Sequence, residues 1–438
     1  MSFDRERVVR EAHEYLILNI VDEVTPVVID EARGSVIRDV DGREYIDAFS
    51  GIAVMNIGYG REEIIQIVNE QIKRYAHVSS YYYYVPIVVE LAKRLAEIMP
   101  SKRLKKSFFG NSGAEANECA IKLARKYTKR HEIIALAPSF HGRTLGTLSV
   151  TGQGGRKRGL GPMLPGVIFV PAPYCYRAPF RYSDEEECGL IYVEIARDIV
   201  REASTSEISS FIVEPILGEP GIIPLPKNYL KIFKEEILDK YNALLIVDEV
   251  QTGFGRTGRI FGVEYYDIEP DIVTTAKALG GGLPISACTT RDEIASVFEP
   301  GDHFSTFGGN PVSAAAAIKT IDIILREELQ KKALEKGEYV LKRLRELEER
   351  HRLIGDIRGK GLMIGVELVR DEKKTPASQE AKRVKSLMRE RGVLVGVGGI
   401  YGNVIRIQPP LVISYEQLDH VIRALDESLN IVETQRTL

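Results

Sequence analysis

Two polar residues follow apolar strands in the middle of the chain, where their side chains could act together. Residues 244–247 (Leu-Leu-Ile-Val) end at Asp248, and the β-branched run 272–276 ends at Lys277. In an open α/β sheet, ligands bind in the crevice outside the carboxyl ends of the strands. A carboxylate and an amine at two such ends therefore predict one shared ligand site.

The chemistry of this pair suits pyridoxal phosphate. Lys277 could hold the aldehyde as a Schiff base, and burial would lower the pKa of its amine. Asp248 could keep the pyridine nitrogen protonated, so that the ring can act as an electron sink. Val250 would then pack behind the ring, and Gln251 is the candidate partner of its phenolic oxygen.

A phosphate site is predicted upstream. Ser112, Gly113 and Ala114 follow the run 107–109 and open a predicted helix that extends to about residue 129. Small residues let backbone N–H groups approach an anion, and the helix N-terminus adds partial positive charge. An ordinary capped helix would have the same local sequence, so the prediction depends on the lysine and the aspartate nearby.

Four further residues are candidates for contacts with a ring or a carboxylate. Phe140 follows a strand and could stack on a pyridine ring, and Arg143 could form a bidentate pair with a carboxylate. Taken alone they would more often be a core phenylalanine and a surface arginine. Arg406 lies within an apolar strand, where burial is costly unless Glu219 or a substrate carboxylate pairs with it.

Composition excludes several classes of partner. The net charge of the 438 residues is −3, so no global basic field attracts nucleic acid. No apolar run reaches the roughly 18 residues needed to span a bilayer. The N-terminus has mixed charge without a following apolar segment, which favours a cytoplasmic protein that has no export signal and does not bind a membrane.

The cysteines, the histidines and one glycine motif are interpreted as neither a metal site nor a dinucleotide site. Cys175 and Cys188 could pair or bind metal, but free thiols in a reducing cytosol are favoured, because their spacing matches no zinc pattern. No histidine motif supports a metal site, so none is predicted. Residues 253–258 fit G-x-G-x-x-G, yet no helix opens at the third glycine, which argues against a dinucleotide site and a nicotinamide-dependent oxidoreductase.

Alternating apolar runs and helical patterns favour an α/β fold with a mostly parallel sheet flanked by helices. The predicted strands are 107–109, 133–136, 167–170, 211–213, 244–247 and 272–275. Region 310–350 predicts a long helix or a helix pair, and 36–46 predicts a hairpin that turns at Asp41 and Gly42. Three units follow from these patterns: an N-terminal segment (1–65) that packs with a small domain, a large cofactor-binding domain (66–310), and a helical connection with a smaller C-terminal α/β domain (311–438).

The stretch 248–282, with Asp248, Gln251 and Lys277 in that order, resembles the class III (ω-amino acid) aminotransferases, which are fold-type I pyridoxal-phosphate enzymes. The resemblance covers nearly the whole chain. It implies that Lys277 is the Schiff-base lysine, Asp248 the pyridinium partner and Gln251 the donor to the phenolic oxygen. It also implies a phosphate cup and a stacking ring, formed by Ser112, Gly113, Ala114 and Phe140.

The same resemblance implies how subunits and substrates meet. Thr306 is similar to a threonine that reaches the phosphate of the neighbouring subunit, so a homodimer or a dimer of dimers is expected. Arg406 would receive an α-carboxylate, or would fold back onto Glu219 when an ω-amine lies there. Ile52 stands where ornithine-specific relatives tend to carry tyrosine, which favours a 4-aminobutyrate-like donor.

We therefore expect a ping-pong aminotransferase that moves an amino group from an ω-amino acid to a 2-oxo acid such as 2-oxoglutarate. The loop before Arg406 is more similar to alanine–glyoxylate relatives, so an alanine–glyoxylate or ornithine/acetylornithine type stays open. A racemase or epimerase with the same cofactor residues is the remaining alternative.

Overall fold

The computed structural model describes residues 4–18 and 26–437. The first elements of the chain are α1 (Arg5–Tyr15), β1 (Ile29–Arg33), β2 (Val36–Asp39), β3 (Glu44–Asp47), the single turn α2 (Ser50–Ala53), α3 (Glu62–Arg74) and α4 (Pro86–Ile98). The predicted hairpin is confirmed, because β2 and β3 pair antiparallel. Gly42 lies between them with φ +82°, a conformation that glycine adopts without steric cost.

A seven-stranded sheet forms the centre of the molecule, in the order β4-β12-β11-β10-β7-β5-β6. Its region contains β4 (Lys106–Gly110), α5 (Gly113–Thr128), β5 (Glu132–Ala137), α6 (Leu145–Val150), α7 (Gly154–Lys157), β6 (Val167–Pro171), α8 (Glu185–Ala203), β7 (Ile208–Val213), β8 (Ile216–Leu217), β9 (Ile223–Pro224), α9 (Tyr229–Phe233), α10 (Asp239–Tyr241), β10 (Leu244–Asp248), β11 (Ile272–Thr275), β12 (Ser286–Thr290) and α11 (Asp292–Ala295). All six predicted strands are present. Strand β12 was not predicted, and it pairs antiparallel with both β11 and β4.

The C-terminal region adds a helix pair and a second sheet. Its elements are α12 (Pro311–Arg326), α13 (Leu329–Glu348), β13 (Ile354–Lys360), β14 (Met363–Leu368), α14 (Ser378–Glu390), β15 (Val393–Leu394), β16 (Gly396–Gly398), β17 (Val404–Ile407) and α15 (Tyr415–Thr437). Four of these strands form a sheet in the order β13-β14-β17-β16. Strand β15 instead pairs with β3, so the N-terminal sheet contains a C-terminal strand.

Strand composition explains where the core lies. Every residue of β7, β10 and β11 is buried, as expected for parallel strands that helices cover on both faces. Strands β10 and β11 run parallel with Asp248 opposite Thr274, so the ends of both strands open onto the same edge of the sheet. Among the described residues, no helix is both long and apolar enough to cross a membrane.

Candidate active site

Asp248 is a buried carboxylate with three hydrogen-bond partners. Asn117 Nδ2 donates to its Oδ2 at 2.8 Å, and His141 Nδ1 lies 2.8 Å from the same oxygen. The backbone N–H of Val250 donates to Oδ1 at 3.0 Å. Asn117 comes from α5 and His141 from the loop after β5, so two elements fix the orientation of one carboxylate. Neither residue was predicted from the sequence, although His141 stands next to the predicted Phe140.

Lys277 follows β11 with φ +41°, outside the conformations that most residues prefer. Burial lowers the pKa of its amine, while the nearby carboxylates of Asp248 and Glu214 oppose that change. The guanidinium of Arg406 lowers the pKa further. An amine with a lowered pKa is more often neutral, which is the form that attacks an aldehyde and accepts a proton.

Glu214 is a buried acid that the sequence did not indicate. Its carboxylate accepts hydrogen bonds from the backbone N–H of Phe140 at 2.9 Å and of Gly218 at 3.0 Å. Burial raises its pKa to about 7, with the charge of Asp248 adding to the effect and His141 opposing it. Glu214 therefore ties the loop of Phe140 to the loop of Gly218 beneath the site.

The predicted phosphate cup lies at the N-terminus of α5. Ser112 is the N-cap, and its hydroxyl accepts from the backbone N–H of Glu115 at 3.3 Å. A Cβ added at Gly113 would lie 2.8 Å from Val250, so glycine is required where the helix approaches the end of β10. Ala114 follows in the first turn, where backbone N–H groups lack partners within the helix.

Phe140 and Arg143 lie together, and the guanidinium of Arg143 is over the ring of Phe140 at 5.3 Å from its centroid. Arg143 itself is exposed.

Gln251 reaches the loop of Gly218, where a Cβ added to that glycine would clash with the side-chain oxygen of Gln251. Thr306 is exposed, and so are Phe304 and Phe307, which flank it in the sequence.

Arg406 is buried, with 7% of the residue exposed, and its guanidinium lies 5.0 Å from the ring centroid of Phe49. Its Nε and Nη1 have no hydrogen-bond partner among the described residues. Burial lowers the pKa of Arg406, and Glu219 opposes that change. Glu219 nevertheless forms its salt bridge with Arg156, a residue that was not predicted.

Ile52 lies in a left-handed turn that follows Phe49, whose ring contacts Arg406. Residues Ser50, Gly51, Ile52 and Ala53 have φ values of 47°, 59°, 68° and 59°. Asp47 accepts hydrogen bonds from the backbone N–H of Ser50 at 2.8 Å, and the Ser50 hydroxyl donates to the carbonyl of Gln408 at 2.6 Å. Half of the Ile52 side chain stays exposed, at 47%.

The glycine motif at 253–258 supports this turn. No helix opens at Gly258, as predicted; Gly255 and Gly258 instead have φ of +88° and +95° in consecutive turns. The motif places Arg256 in the core, where its guanidinium donates to the Ser50 hydroxyl at 3.2 Å and to Asn56 at 2.5 Å.

The prediction of free thiols at Cys175 and Cys188 is wrong, because the two residues form a disulfide. A short turn (Cys175–Arg177) lies over the first turns of α8, so their Cα atoms are 6.0 Å apart and within the usual bridging range. Sequence spacing alone could not show this proximity. Cys119 and Cys288 are free and buried.

Comparison with known proteins identifies the family. Residues 19–429 match the family model of aminotransferase class III. The chain is 42% identical over 413 residues to the leucine/methionine racemase of Thermococcus litoralis, covering 94% of this chain and 92% of that protein. It is also 42% identical over 422 residues to the acetylornithine aminotransferase of Methanothermobacter thermautotrophicus, covering 96% and 98%. A thermostable (S)-enantioselective ω-transaminase from Thermomicrobium roseum matches with a TM-score of 0.92 at 35% identity, covering 99% and 100%.

The chain belongs to the class III aminotransferases. It is a pyridoxal-phosphate-dependent transaminase with the fold-type I architecture that the sequence predicted. The cofactor is pyridoxal phosphate, which one of the similar solved structures contains. The site fits that group. It presents the amine of Lys277 with a lowered pKa and the buried, oriented carboxylate of Asp248. It also presents the N-terminus of α5, which can lie against Val250 only because residue 113 is glycine.

Proposed function

We propose that the enzyme moves an amino group from a carboxylate-bearing donor to a 2-oxo acid by a ping-pong mechanism, with Lys277 as the residue that moves the proton. The observation that carries this proposal is the position of Lys277 and Asp248 at the adjacent ends of β11 and β10. When bound, pyridoxal phosphate supplies a ring that withdraws electrons from the substrate carbon. Lys277 Nζ would accept the proton from that carbon in the first half-reaction. In the second half-reaction it would deliver a proton to the carbon that the 2-oxo acid contributes.

The neighbouring residues would hold the cofactor. Asp248 would face the pyridine nitrogen, with its orientation set by Asn117 and His141. Phe140 would stack on one face of the ring and Val250 would pack on the other. Gln251 would donate to the phenolic oxygen. The phosphate would bind the N-terminus of α5 through Ser112, Gly113 and Ala114.

The α-carboxylate of an α-amino acid or of the 2-oxo acid would bind Arg406, whose buried Nε and Nη1 have no hydrogen-bond partner among the described residues. Ile52 and Arg143 would border the rest of the substrate. A 4-aminobutyrate-like donor is what the isoleucine at position 52 favours. The relatives include an acetylornithine aminotransferase and a leucine/methionine racemase, whose names point to amino acids other than 4-aminobutyrate. We therefore propose the broader class of amino acids as donors, with the reacting amine in the α or the ω position.

Amino-acid racemisation is a second candidate, which the similarity to a leucine/methionine racemase supports. A racemase would return the proton to the opposite face of the same carbon and would need no 2-oxo acid. Deuterium exchange at Cα with inversion, measured without an acceptor, would identify this activity.

A homodimer would complete the site, with Thr306 of one subunit reaching the phosphate bound by its neighbour. The exposure of Thr306 between two exposed phenylalanines supports this arrangement.

The test of the proposed function uses Lys277→Ala. Because general acid–base catalysis contributes about 100- to 10,000-fold, we expect the variant to lose at least about 100-fold in kcat with any donor and acceptor. Borohydride treatment of the wild-type holoenzyme should attach the cofactor to the peptide that contains Lys277, as read by mass spectrometry. The control is Lys373→Ala, an exposed lysine that should leave both results unchanged. A label on another lysine, or full activity in Lys277→Ala, would refute the proposal.

A further inference from the structure

Three charged side chains meet where the sequence predicted two. Arg156 Nη2 donates to Glu219 Oε1 in a half-buried salt bridge. The backbone carbonyl of Glu219 accepts from the N–H of Gly399 at 3.1 Å, next to Gly398, where an added Cβ would lie 2.8 Å from Arg406 Nε. The Glu219 loop therefore lies beside Arg406, while the Glu219 carboxylate is hydrogen-bonded to Arg156. In keeping with this position, the charge of Glu219 opposes the lowering of the Arg406 pKa by burial.

The two arginines differ in their surroundings. Arg406 is buried in β17 beside the Phe49 ring, and a Cβ added at Gly398 would lie 2.8 Å from its Nε. A buried cation without a hydrogen-bonded anion is costly, so this guanidinium favours an incoming carboxylate. Arg156 lies in the short helix α7 at the edge of the site, half-exposed to solvent.

Arg156 is also connected to the cofactor side of the site. Its Nε lies 3.5 Å from Gln153 Oε1, and Gln153 Nε2 donates to the carbonyl of Ser139 at 3.4 Å. Ser139 directly precedes Phe140. The salt bridge thus joins the Glu219 loop to the loop that carries the predicted stacking ring.

We propose that Arg156 is a specificity-determining residue that holds Glu219 away from Arg406. With Glu219 held, Arg406 is open to the carboxylate of an α-amino acid or a 2-oxo acid. A donor that brings no carboxylate requires Glu219 to leave Arg156 and neutralise Arg406, so the Arg156 salt bridge disfavours that donor. This inference rests on the proposed function, because it assumes that substrate carboxylates bind at Arg406.

The test compares L-alanine with 1-phenylethylamine, an amine without a carboxylate, on the purified holoenzyme. In Arg156→Gln, Glu219 is free to pair with Arg406 and to compete with substrate. Since a charge-assisted hydrogen bond contributes about 1.5 to 3 kcal/mol, we expect the ratio of kcat/KM for L-alanine to that for the amine to fall about tenfold or more. The fall should combine a higher KM for L-alanine, with little change in its kcat, and a higher kcat/KM for the amine.

A second substitution distinguishes competition from structural damage. In Arg156→Gln/Glu219→Gln, no carboxylate competes for Arg406, so the KM for L-alanine should return towards the wild-type value. Arg158→Gln is the matched control, since Arg158 is exposed on the same segment and should leave the ratio unchanged. An unchanged ratio in Arg156→Gln, or a double variant no better than the single one, would overturn the inference.

Calorimetric binding of propionate to the holoenzyme gives a readout that needs no turnover. We expect Arg156→Gln to weaken propionate about tenfold and the double variant to restore it. If wild-type enzyme transfers no amino group yet propionate binding follows this pattern, the proposed function fails and the role of Arg156 stands. If transfer is normal and propionate binds all three proteins equally, the role of Arg156 is refuted alone.

Discussion

At the scale of single residues, the site is defined by how buried charges are satisfied. Asp248 has three hydrogen-bond partners, whereas Arg406 has two nitrogens without one among the described residues. A buried charge with all its partners is held in place, and one without them is suited to bind a ligand. This contrast supports the roles that we propose, with Asp248 holding the cofactor and Arg406 binding substrate.

Glu214 makes the free energy of unfolding depend on pH. Burial raises its pKa from the ordinary 4.5 to about 7. The folded protein thus binds the proton more tightly than the unfolded chain. The contribution of protonated Glu214 to the free energy of unfolding is therefore complete below pH 4.5 and is lost as the pH rises to about 7. We expect Glu214→Gln to remove roughly 3 kcal/mol of that loss. Urea unfolding of both holoenzymes across this pH range measures it.

The amide oxygen in Glu214→Gln can still accept from the N–H of Phe140, whereas its NH2 group cannot accept from the N–H of Gly218. The comparison therefore uses the slope of stability against pH and not the stability at one pH. Glu207→Gln, at an exposed glutamate in the turn before β7, is the control and should follow the wild-type pH profile. Parallel profiles for wild type and Glu214→Gln would contradict the prediction.

At the scale of elements, strand ends were predictable and lateral contacts were not. The apolar runs before Asp248 and Lys277 marked β10 and β11, because fully buried strands need continuous apolar sequence. Strand β12 reads Ser-Ala-Cys-Thr-Thr, which is too small and polar to stand out, although all five residues are buried.

Contacts between distant segments left no local signal. Arg156 lies in a Gly-Gly-Arg-Lys sequence typical of an exposed loop, yet it contacts Glu219, 63 residues further along. Asn117 and His141 likewise reach Asp248 only because the sheet order places α5 and the loop after β5 beside β10. The residues proposed to hold the cofactor could be predicted from local sequence patterns, whereas the residues that orient Asp248 depend on tertiary packing.

The disulfide provides a test of one such lateral contact. The turn that contains Cys175 also contacts the C-terminal sheet, where Arg177 Nε donates to Glu367 at 2.6 Å. Releasing the link should loosen that contact and lower the free energy of unfolding by about 3 kcal/mol for a loop of this length. Thermal unfolding of the Cys175→Ser/Cys188→Ser variant measures this change.

Alkylation of the denatured wild-type protein is the direct control. Without reductant, two of the four cysteines should be labelled, and with reductant all four. Labelling of all four without reductant would show that the link is absent.

At the scale of the whole molecule, two neighbouring segments expose aromatic side chains. Tyr82, Tyr83, Tyr84, Phe304 and Phe307 are all exposed, the rings of Tyr82 and Phe304 are 5.7 Å apart, and Thr306 lies between Phe304 and Phe307 in the sequence. Large exposed aromatic patches mark association sites. This face is where we expect a second copy of the chain to bind.

Two charges placed on this face should separate the subunits. Tyr84 is fully exposed, so Tyr84→Glu combined with Phe307→Glu removes little from the folded subunit. Like charges across a two-fold interface cost on the order of 3 kcal/mol, so we expect the dissociation constant of the dimer to rise about 100-fold, as measured by light scattering over a dilution series. Cofactor retention should fall as well, because Thr306 would no longer reach a neighbouring phosphate.

Leu190→Glu, on the exposed side of α8, is the matched control and should stay associated with its cofactor bound. A charged double variant that keeps both the wild-type mass and its cofactor would contradict the assignment of this face.

The left-handed turn at Ser50–Ala53 also affects how mutation could change the range of substrates. Each residue with a side chain costs roughly 1 to 2 kcal/mol in that conformation, and Ile52 is β-branched and about half exposed. With Ile52 beside the substrate, as we propose, a change from isoleucine to glycine would both make room for a bulkier substrate and relieve the backbone. That one substitution would then gain stability together with a new activity, which is the reverse of the usual conflict between the two.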